Sequence, residues 1–227
     1  MRLVHTDDAV TSTNLAAVKR PATPPYERPW RQYGVVLVAL AAGLGGLMNY
    51  WSHRPIEHAP GQIALSQPRQ TPLEAASPIE FKDYVLEPRA AFAVEARILS
   101  TTRYRFDPGA RLAPYDFALG WGLMSDTAVL RRLEITQGSR FYTVYPQAPE
   151  LDLPALMRHS SNMHLIPANE AVARLLASAR VGHVIGFEGR LVDASRRDGY
   201  AWKTSLTRTD TGAGACELVL VETAWLR

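Results

Sequence analysis

The sequence predicts an α+β domain built on a curved antiparallel sheet, or on a partly open small barrel, with short helices and one transmembrane helix before it. Three observations support this fold class. First, an uncharged apolar stretch, Tyr33–Trp51, precedes the domain. Second, strand and helix patterns alternate in the first part of the domain. Third, strand-like segments separated by turn residues make up the end of the chain. The region 81–227 is long enough to bury about 70% of its unfolded surface without a disulfide or metal.

Tyr33–Trp51 predicts the transmembrane helix. At about 1.5 Å per residue it covers roughly 28 Å, close to the hydrocarbon thickness of a bilayer. Basic residues lie close to the stretch on both sides, with Lys19, Arg20, Arg28 and Arg31 before it and Arg54 after it. This asymmetry places the N-terminus in the cytoplasm. In a bacterium, the chain would then be a single-pass inner-membrane protein with a periplasmic C-terminal domain.

Two polar segments flank the apolar stretch. Residues 1–32 are predicted to be a disordered cytoplasmic tail, because they lack the apolar area that ordering requires. Residues 52–80 contain regularly spaced prolines and are predicted to form a proline-rich tether. Small residues recur four positions apart in the apolar stretch, as Ala39 with Gly43 and Ala42 with Gly46. They permit a homodimer or a partner helix, although glycine and alanine are common in spanning helices.

Charge and cysteine content limit the partners. Of 25 basic and 22 acidic residues, five and three lie in residues 1–32, so the remainder is nearly neutral. Nucleic acid is therefore not an expected partner, whereas a lipid bilayer and an envelope protein are. The single cysteine, Cys216, forms no intrachain disulfide and leaves the redox compartment open.

The first half of the domain alternates between strand and turn signals. Ala91–Arg103 is predicted to be a strand, and Tyr115–Met124 an apolar loop around Gly120 and Gly122. Ser125-Asp126 is expected to cap a helix at Thr127–Leu133. Arg140–Tyr145 is predicted to be another strand.

The second half combines two helices with a three-stranded meander. Glu150–His159 predicts a short helix, and Asn169–Ala179 a clearer one with an apolar stripe. The three strands are predicted at His183–Val192, Tyr200–Thr207 and Ala215–Leu226. The short turns between them make neighbouring strands antiparallel.

Two resemblances bear on the fold. The helix running into VGHVIGFEGRLVD is similar to the helix-to-strand passage of small Greek-key barrels such as the OB-fold, and the resemblance implies fold alone. The blocks YDFALGWGLMSD, SNMHLIPAN and DTGAGACEL resemble those of uncharacterised single-span bacterial envelope proteins. That family has no assigned chemistry to transfer.

A thiol hydrolase is the catalytic hypothesis. Cys216 would be the nucleophile, His164 its base, and Asp116 or Asn162 the group that orients the imidazole. Against it, a small cysteine at the start of a strand is typical of packing. A serine site at Ser125, Ser160 or Ser161 lacks the glycine spacing of a nucleophile elbow.

Two other chemistries are disfavoured. His159 and His164, with Asp116 or Glu217, lack the spacing of a helical zinc pair, so no metal or other cofactor is expected. Asp210-Thr211-Gly212 matches the aspartic protease triplet, but turn chemistry explains it equally well.

The function predicted is therefore binding or scaffolding within an envelope assembly, with the hydrolase as the alternative. The same polar and aromatic blocks supply residues for a binding groove, or serve only to close one end of the sheet. The candidate groove residues are Tyr115, Trp121, Met124, Asn162 and His164.

Overall fold

The structure, a computed structural model, describes residues 29–207 and 215–227, without the side chains of residues 29–32, 49, 52 and 53. The chain divides after Trp51 into two compact units. One helix, α1, spans Pro29–His53 and ends two residues past this division; from Tyr33 to Trp51 its described large apolar side chains are exposed. Across the described part of the chain, no helix combines the length and apolar character that crossing a membrane requires. The transmembrane helix predicted for Tyr33–Trp51 is therefore not confirmed.

The second unit, Ser52–Arg227, is an α+β domain with ten described strands and three short α-helices. The strands are β1 Arg69–Pro72, β2 Ile79–Phe81, β3 Tyr84–Arg103, β4 Tyr115–Gly120, β5 Leu133–Gly138, β6 Phe141–Pro146, β7 Ser160–Pro167, β8 Val184–Ser195, β9 Ala201–Trp202 and β10 Glu217–Leu226. The helices are α2 Thr127–Leu130, α3 Leu153–Met157 and α4 Glu170–Ser178.

The main sheet is mixed. Its strand order is β1-β3-β4-β7-β10-β8-β9, with β2 on β3 and a further pairing of β3 with β8, while β5 and β6 form a separate hairpin. β7 and β10 run parallel and the other described pairs are antiparallel. The sheet is not a barrel. The α+β class is thus confirmed, but the purely antiparallel sheet and the partly open barrel are wrong.

Capping explains where the helices begin. The side chain of Asp126 accepts from Ala128 N–H at α2, and Asn169 accepts from Val172 N–H at α4. α3 starts after Asp152 with Pro154 in its first turn, where the missing N–H costs no helical bond. The three predicted helices exist, each shorter than expected.

Apolar side chains fill both faces of the sheet. One cluster joins Phe117, Leu165 and Val221 beneath the apolar stripe of α4. Two further clusters lie on the other face, one around Ile166 and one around Ala118. Along β4 and β7, the alternation of side chains therefore sends odd-numbered residues to the α4 side and even-numbered residues to the other.

The stretch after α1 belongs to the domain surface. Ile56 N–H donates to Val181 C=O, and the His58 ring lies 2.7 Å from Gly182 C=O. Farther along, the backbone N–H groups of Ile63 and Ala64 both donate to Ser125 Oγ at 3.2 Å. Residues 52–80, expected to be an extended tether, contribute β1 and the first residues of β2 to the sheet.

A segment expected to be a loop, and a polar block to which no element was assigned, both contain interior strands. Tyr115–Met124 contains β4, all six residues of which are buried, followed by a 3-10 turn at Gly122–Ser125. Because both faces of β4 are covered, it shows no polar alternation. The block His159–Asn169 contains β7, an interior strand with polar side chains. Conversely, the strand predicted for Tyr200–Thr207 shrinks to Ala201–Trp202.

Candidate functional site

The register of β4 against β7 creates a buried polar row on the face opposite α4. Asp116 lies directly opposite His164 in the antiparallel pairing, so both side chains project to the same face. The side chain of Asp116 is fully buried and that of His164 is 3% exposed. Asn162 follows two residues along β7 on the same face. The row lies between the two apolar clusters of this face.

Arg140 balances the negative charge of Asp116 in this row. Its Nη1 donates to Asp116 Oδ1 at 2.7 Å and to the Ala113 carbonyl at 2.8 Å. Its Nε and Nη2 donate to the two carboxylate oxygens of Asp107 at 3.1 and 2.8 Å. The guanidinium also lies 4.0 Å from the centre of the Tyr104 ring. Its nitrogens thus already donate hydrogen bonds to two carboxylates and a carbonyl.

The β5–β6 turn aims Arg140 at the row. Ser139 and Arg140 both have positive φ, 49° and 69°, which defines the left-handed pair of a type I′ hairpin turn. Non-glycine residues adopt this conformation at a cost of about 1 kcal/mol each. The Tyr104 hydroxyl accepts from Arg140 N–H at 2.8 Å and helps to hold the turn.

The charge of Arg140 also affects the pKa of Asp107. Burial raises the pKa of this carboxyl, but the hydrogen bonds and charge of Arg140, together with the N–H groups of Gly109 and Ala110, lower it by more. The net pKa lies below the usual aspartate value, so Asp107 is ionised at neutral pH.

His164 and Asp116 are in contact without a completed hydrogen bond. His164 Nδ1 lies 2.9 Å from Asp116 Oδ1, the oxygen that Arg140 also binds. The angle falls short of hydrogen-bond geometry, and within residues 29–207 and 215–227 neither Nδ1 nor Asp116 Oδ2 has a hydrogen-bond partner. A buried polar pair of this kind has unused bonding capacity.

A chain of side chains fixes the amide of Asn162. Thr102 Oγ1 donates to Gln137 Oε1 at 3.3 Å, and Gln137 Nε2 donates to Asn162 Oδ1 at 2.6 Å. With its oxygen engaged, Asn162 directs Nδ2 to the Arg140 carbonyl at 3.1 Å and to Cys216 Sγ at 3.9 Å. The amide orientation follows from these partners.

Cys216 borders the row one residue before β10. Since Leu218 pairs with His164 in the parallel ladder, Cys216 comes level with Asn162 and shares the face of the row. Its Sγ lies 3.8 Å from the Arg140 carbonyl, to which the thiol donates. The thiol is half-buried.

His164, Arg140 and Cys216 border an open cavity of about 510 Å³, whereas Asp116 and Asn162 lie behind them and do not line it. The lining also includes aromatic side chains and one lysine: Asp107, Pro108, Gly109, Arg140, Phe141, His164, Tyr200, Ala201, Trp202, Lys203 and Cys216. The Trp202 ring lies 4.7 Å from the His164 ring, centre to centre. Burial raises the pKa of Tyr200, so this hydroxyl stays neutral well above pH 7.

The structure brings together Asp116, Asn162, His164 and Cys216 from the sequence candidates. Tyr115, Trp121 and Met124 are buried core residues that do not line this cavity. Of the serines, Ser125 binds the backbone of Ala64 and Gly122, Ser160 lies 3.0 Å from the Tyr142 hydroxyl, and Ser161 donates to Glu217. The Asp210-Thr211-Gly212 triplet lies outside the described residues.

The remaining metal candidates do not assemble into a site. The His159 ring lies 2.8 Å from the Ala155 carbonyl within its own helix end. In the part of the chain that the structure describes, no group of three or more His, Cys, Asp or Glu residues is arranged to hold a metal ion.

Sequence reasoning missed Arg140, Asp107 and Trp202. Arg140 and Asp107 belong to turns whose meeting depends on tertiary packing. One signal was available: Trp202 lies in the predicted strand Tyr200–Thr207, a segment too polar to bury a tryptophan fully. Comparisons with protein-family models, curated proteins and solved structures find no match to this chain.

Proposed function

We propose that the chain is a membrane-anchored periplasmic binding protein of an envelope assembly, with α1 as its anchor and the cavity above the Asp116–His164 row as its binding site. The observation that carries the binding role is the cavity itself. It is open, and its lining includes the aromatic residues Phe141, Tyr200 and Trp202. Arg140 in the lining is held by hydrogen bonds to Asp107 and Asp116. Pockets with an apolar lining and few fixed polar groups are the usual sites of recognition.

The anchor rests on the sequence of α1 and the exposure of its side chains. Val35, Val36, Leu37 and Val38 are each more than half exposed. Consecutive helical residues lie about 100° apart, so these four cover the whole circumference. The stretch Tyr33–Met48 within α1 carries no charge and is apolar on every side, which suits a lipid environment better than a water-facing one. The basic residues before it favour a cytoplasmic N-terminus.

Alkaline carbonate extraction of membranes tests the anchor, and a reporter fused after Arg227 tests the orientation. We expect the protein to stay in the membrane pellet. A reporter that works only in the periplasm should be active, and one that works only in the cytoplasm should be inactive. Leu40→Arg with Leu44→Arg should release it, since each arginine costs about 2.5–3.5 kcal/mol at a helix centre. Leu65→Arg, at an exposed leucine of the domain, is the matched control. Extraction of the unaltered protein would refute the anchor.

Site-specific photocrosslinking in intact cells tests the binding site. A benzoylphenylalanine at Phe141, which lines the cavity, should capture a defined molecule, whose identity mass spectrometry reads. The same probe at Tyr145 is the control, because this residue has similar exposure (52% against 46%) on the same strand but does not line the cavity. Equal adducts at both positions, or none at Phe141, would count against a binding site here.

A further inference from the structure

We propose that Cys216 is a nucleophile that accepts acyl groups from esters with apolar acyl chains, with His164 as its base and Asp116 as the residue that positions the imidazole. This activity goes beyond the proposed binding role. It joins the thiol to an independent observation: among the described residues, Nδ1 of the buried His164 has no hydrogen-bond partner, and His164 lines the same cavity as Cys216.

The strand register brings the thiol and the imidazole close to one another. His164 lies in β7, and Cys216 directly precedes the parallel strand β10; extending the register by one residue puts them two residues apart along the strand and on the same face. Strand spacing of about 4.8 Å and a rise of about 3.3 Å per residue give roughly 8 Å between their Cα atoms. Two side chains pointing into one cavity span that separation.

Asp116 suits the positioning role. Its Oδ1 already lies 2.9 Å from His164 Nδ1, so a small ring rotation completes an Nδ1–H···Oδ1 hydrogen bond. That bond fixes the tautomer in which Nε2 has a lone pair, as a base requires. Trp202 packs against the imidazole at 4.7 Å, centre to centre, and limits its rotation.

Asn162 supplies the donor for developing charge. Gln137 holds the amide oxygen, and one N–H of Nδ2 goes to the Arg140 carbonyl. The second N–H faces the sulfur, where it stabilises a thiolate or the oxyanion of a tetrahedral intermediate.

The chemistry balances without any oxidant or cofactor. His164 takes the thiol proton as sulfur bonds to the acyl carbon, and the ester C–O bond breaks as the leaving oxygen regains that proton. Water then attacks the thioester carbon and gives a proton to His164. The S–C bond breaks, the sulfur is reprotonated, and a carboxylic acid leaves.

The lining selects the substrate class. The guanidinium of Arg140 is engaged by two carboxylates and a carbonyl, so it cannot clamp a phosphate dianion in bidentate fashion, and Lys203 offers a single point charge instead. Phe141, Tyr200 and Trp202 offer apolar surface instead. A neutral ester with an apolar acyl chain fits this balance.

The full-length protein in detergent, mixed with p-nitrophenyl butyrate, tests the proposal. We expect a burst of one equivalent of p-nitrophenolate and a butyryl adduct on Cys216 in intact-mass and peptide spectra. Cys216→Ala and Cys216→Ser should abolish the adduct. His164→Gln should slow acylation by about 10²–10³-fold. Asp116→Asn should slow it less and change its pH profile.

A relocated thiol provides the control. Cys216→Ala combined with Ser178→Cys keeps one thiol per chain but moves it to the exposed end of α4. This variant should react only at the rate of a free thiol in solution. Circular dichroism and thermal melting identify variants that fail to fold, and only folded ones are compared. Acylation of folded His164→Gln at the wild-type rate, or equal rates for Cys216 and the relocated thiol, would overturn the proposal.

Discussion

Asp116 and Arg140 form a buried ion pair in which Nη1 reaches Oδ1 at 2.7 Å, with the carboxylate side chain fully buried and the guanidinium side chain 15% exposed. The two residues come from different elements of the domain, the interior strand β4 and the turn of the β5–β6 hairpin. The pair therefore holds the hairpin against the main sheet. It also supplies the positive charge that a carboxylate at this depth requires.

Replacing Arg140 with methionine should lower the free energy of unfolding by about 3–5 kcal/mol, because Asp116 and Asp107 would lose their counter-charge. Urea denaturation followed by circular dichroism measures the loss. Arg174→Met is the control, since Arg174 pairs with Glu170 at the surface of α4, where an ion pair contributes only about 0.3–0.5 kcal/mol. Similar losses in the two variants would mean that the buried pair does not hold the hairpin.

Tyr142 should make stability depend on alkaline pH. Burial raises the pKa of its hydroxyl to about 12, the nearby Glu217 acts in the same direction, and the hydrogen bond with Ser160 acts against it. A raised folded-state pKa favours the folded state below the unfolded pKa of about 10, and this contribution is lost as pH rises towards 12. The expected slope is about 1.4 kcal/mol per pH unit.

Ultraviolet absorbance of tyrosinate and urea melts between pH 9 and 12 check this expectation together. Tyr142→Phe should remove the late-titrating phenol and flatten the stability profile in the same window. A titration of Tyr142 near its ordinary value would contradict the deep burial of this hydroxyl.

Gly189 should tolerate no side chain. A Cβ at this position would lie 1.9 Å from the Leu220 carbonyl oxygen, a backbone atom of the paired strand β10. Gly189→Ala must push β8 and β10 apart, so we expect a loss of about 1–3 kcal/mol or more by thermal melting. Gly138→Ala, where no atom of the described residues lies within 4 Å of the new one, should change stability by less than about 0.5 kcal/mol. Equal tolerance at both glycines would argue against the described pairing.

Ser125 should control how firmly residues 63 and 64 hold to the domain. Ser125→Ala leaves the N–H groups of Ile63 and Ala64 without their acceptor, at a cost of about 1–3 kcal/mol. Hydrogen exchange at these two amides should accelerate while exchange in β8 stays slow, which mass spectrometry resolves. Uniform acceleration across the domain would instead indicate a global loss of stability.

Local signals predicted the elements whose chemistry is local. The cap at Asp126 and the stripe of α4 follow from neighbouring residues, and α2 and α4 begin at or within one residue of where those signals place them. β4 and β7 were missed because both are interior strands: β4 shows no alternation, and Ser160, Ser161 and Asn162 of β7 bond to side chains from other elements. A sequence pattern reports the side facing water, which these strands lack.

Only some residues of the candidate site could be predicted, because local sequence reveals residue type but not tertiary packing. Asp116, His164 and Cys216 have side chains typical of catalytic centres, so residue type alone selected them. Arg140 and Asp107 meet only because two turns, remote from β7 in sequence, fold over the same strand face. Their roles depend on packing that no short motif encodes.

The hydrogen bonds of Ile56, His58, Ile63 and Ala64 to the domain have a practical consequence for its preparation. A recombinant fragment trimmed to begin at Phe81, where apolar alternation becomes visible, would discard β1 and nearly all of β2 and bare one edge of β3. Such a product invites misassociation through its exposed strand. A soluble version for crystallisation should therefore start no later than Pro55.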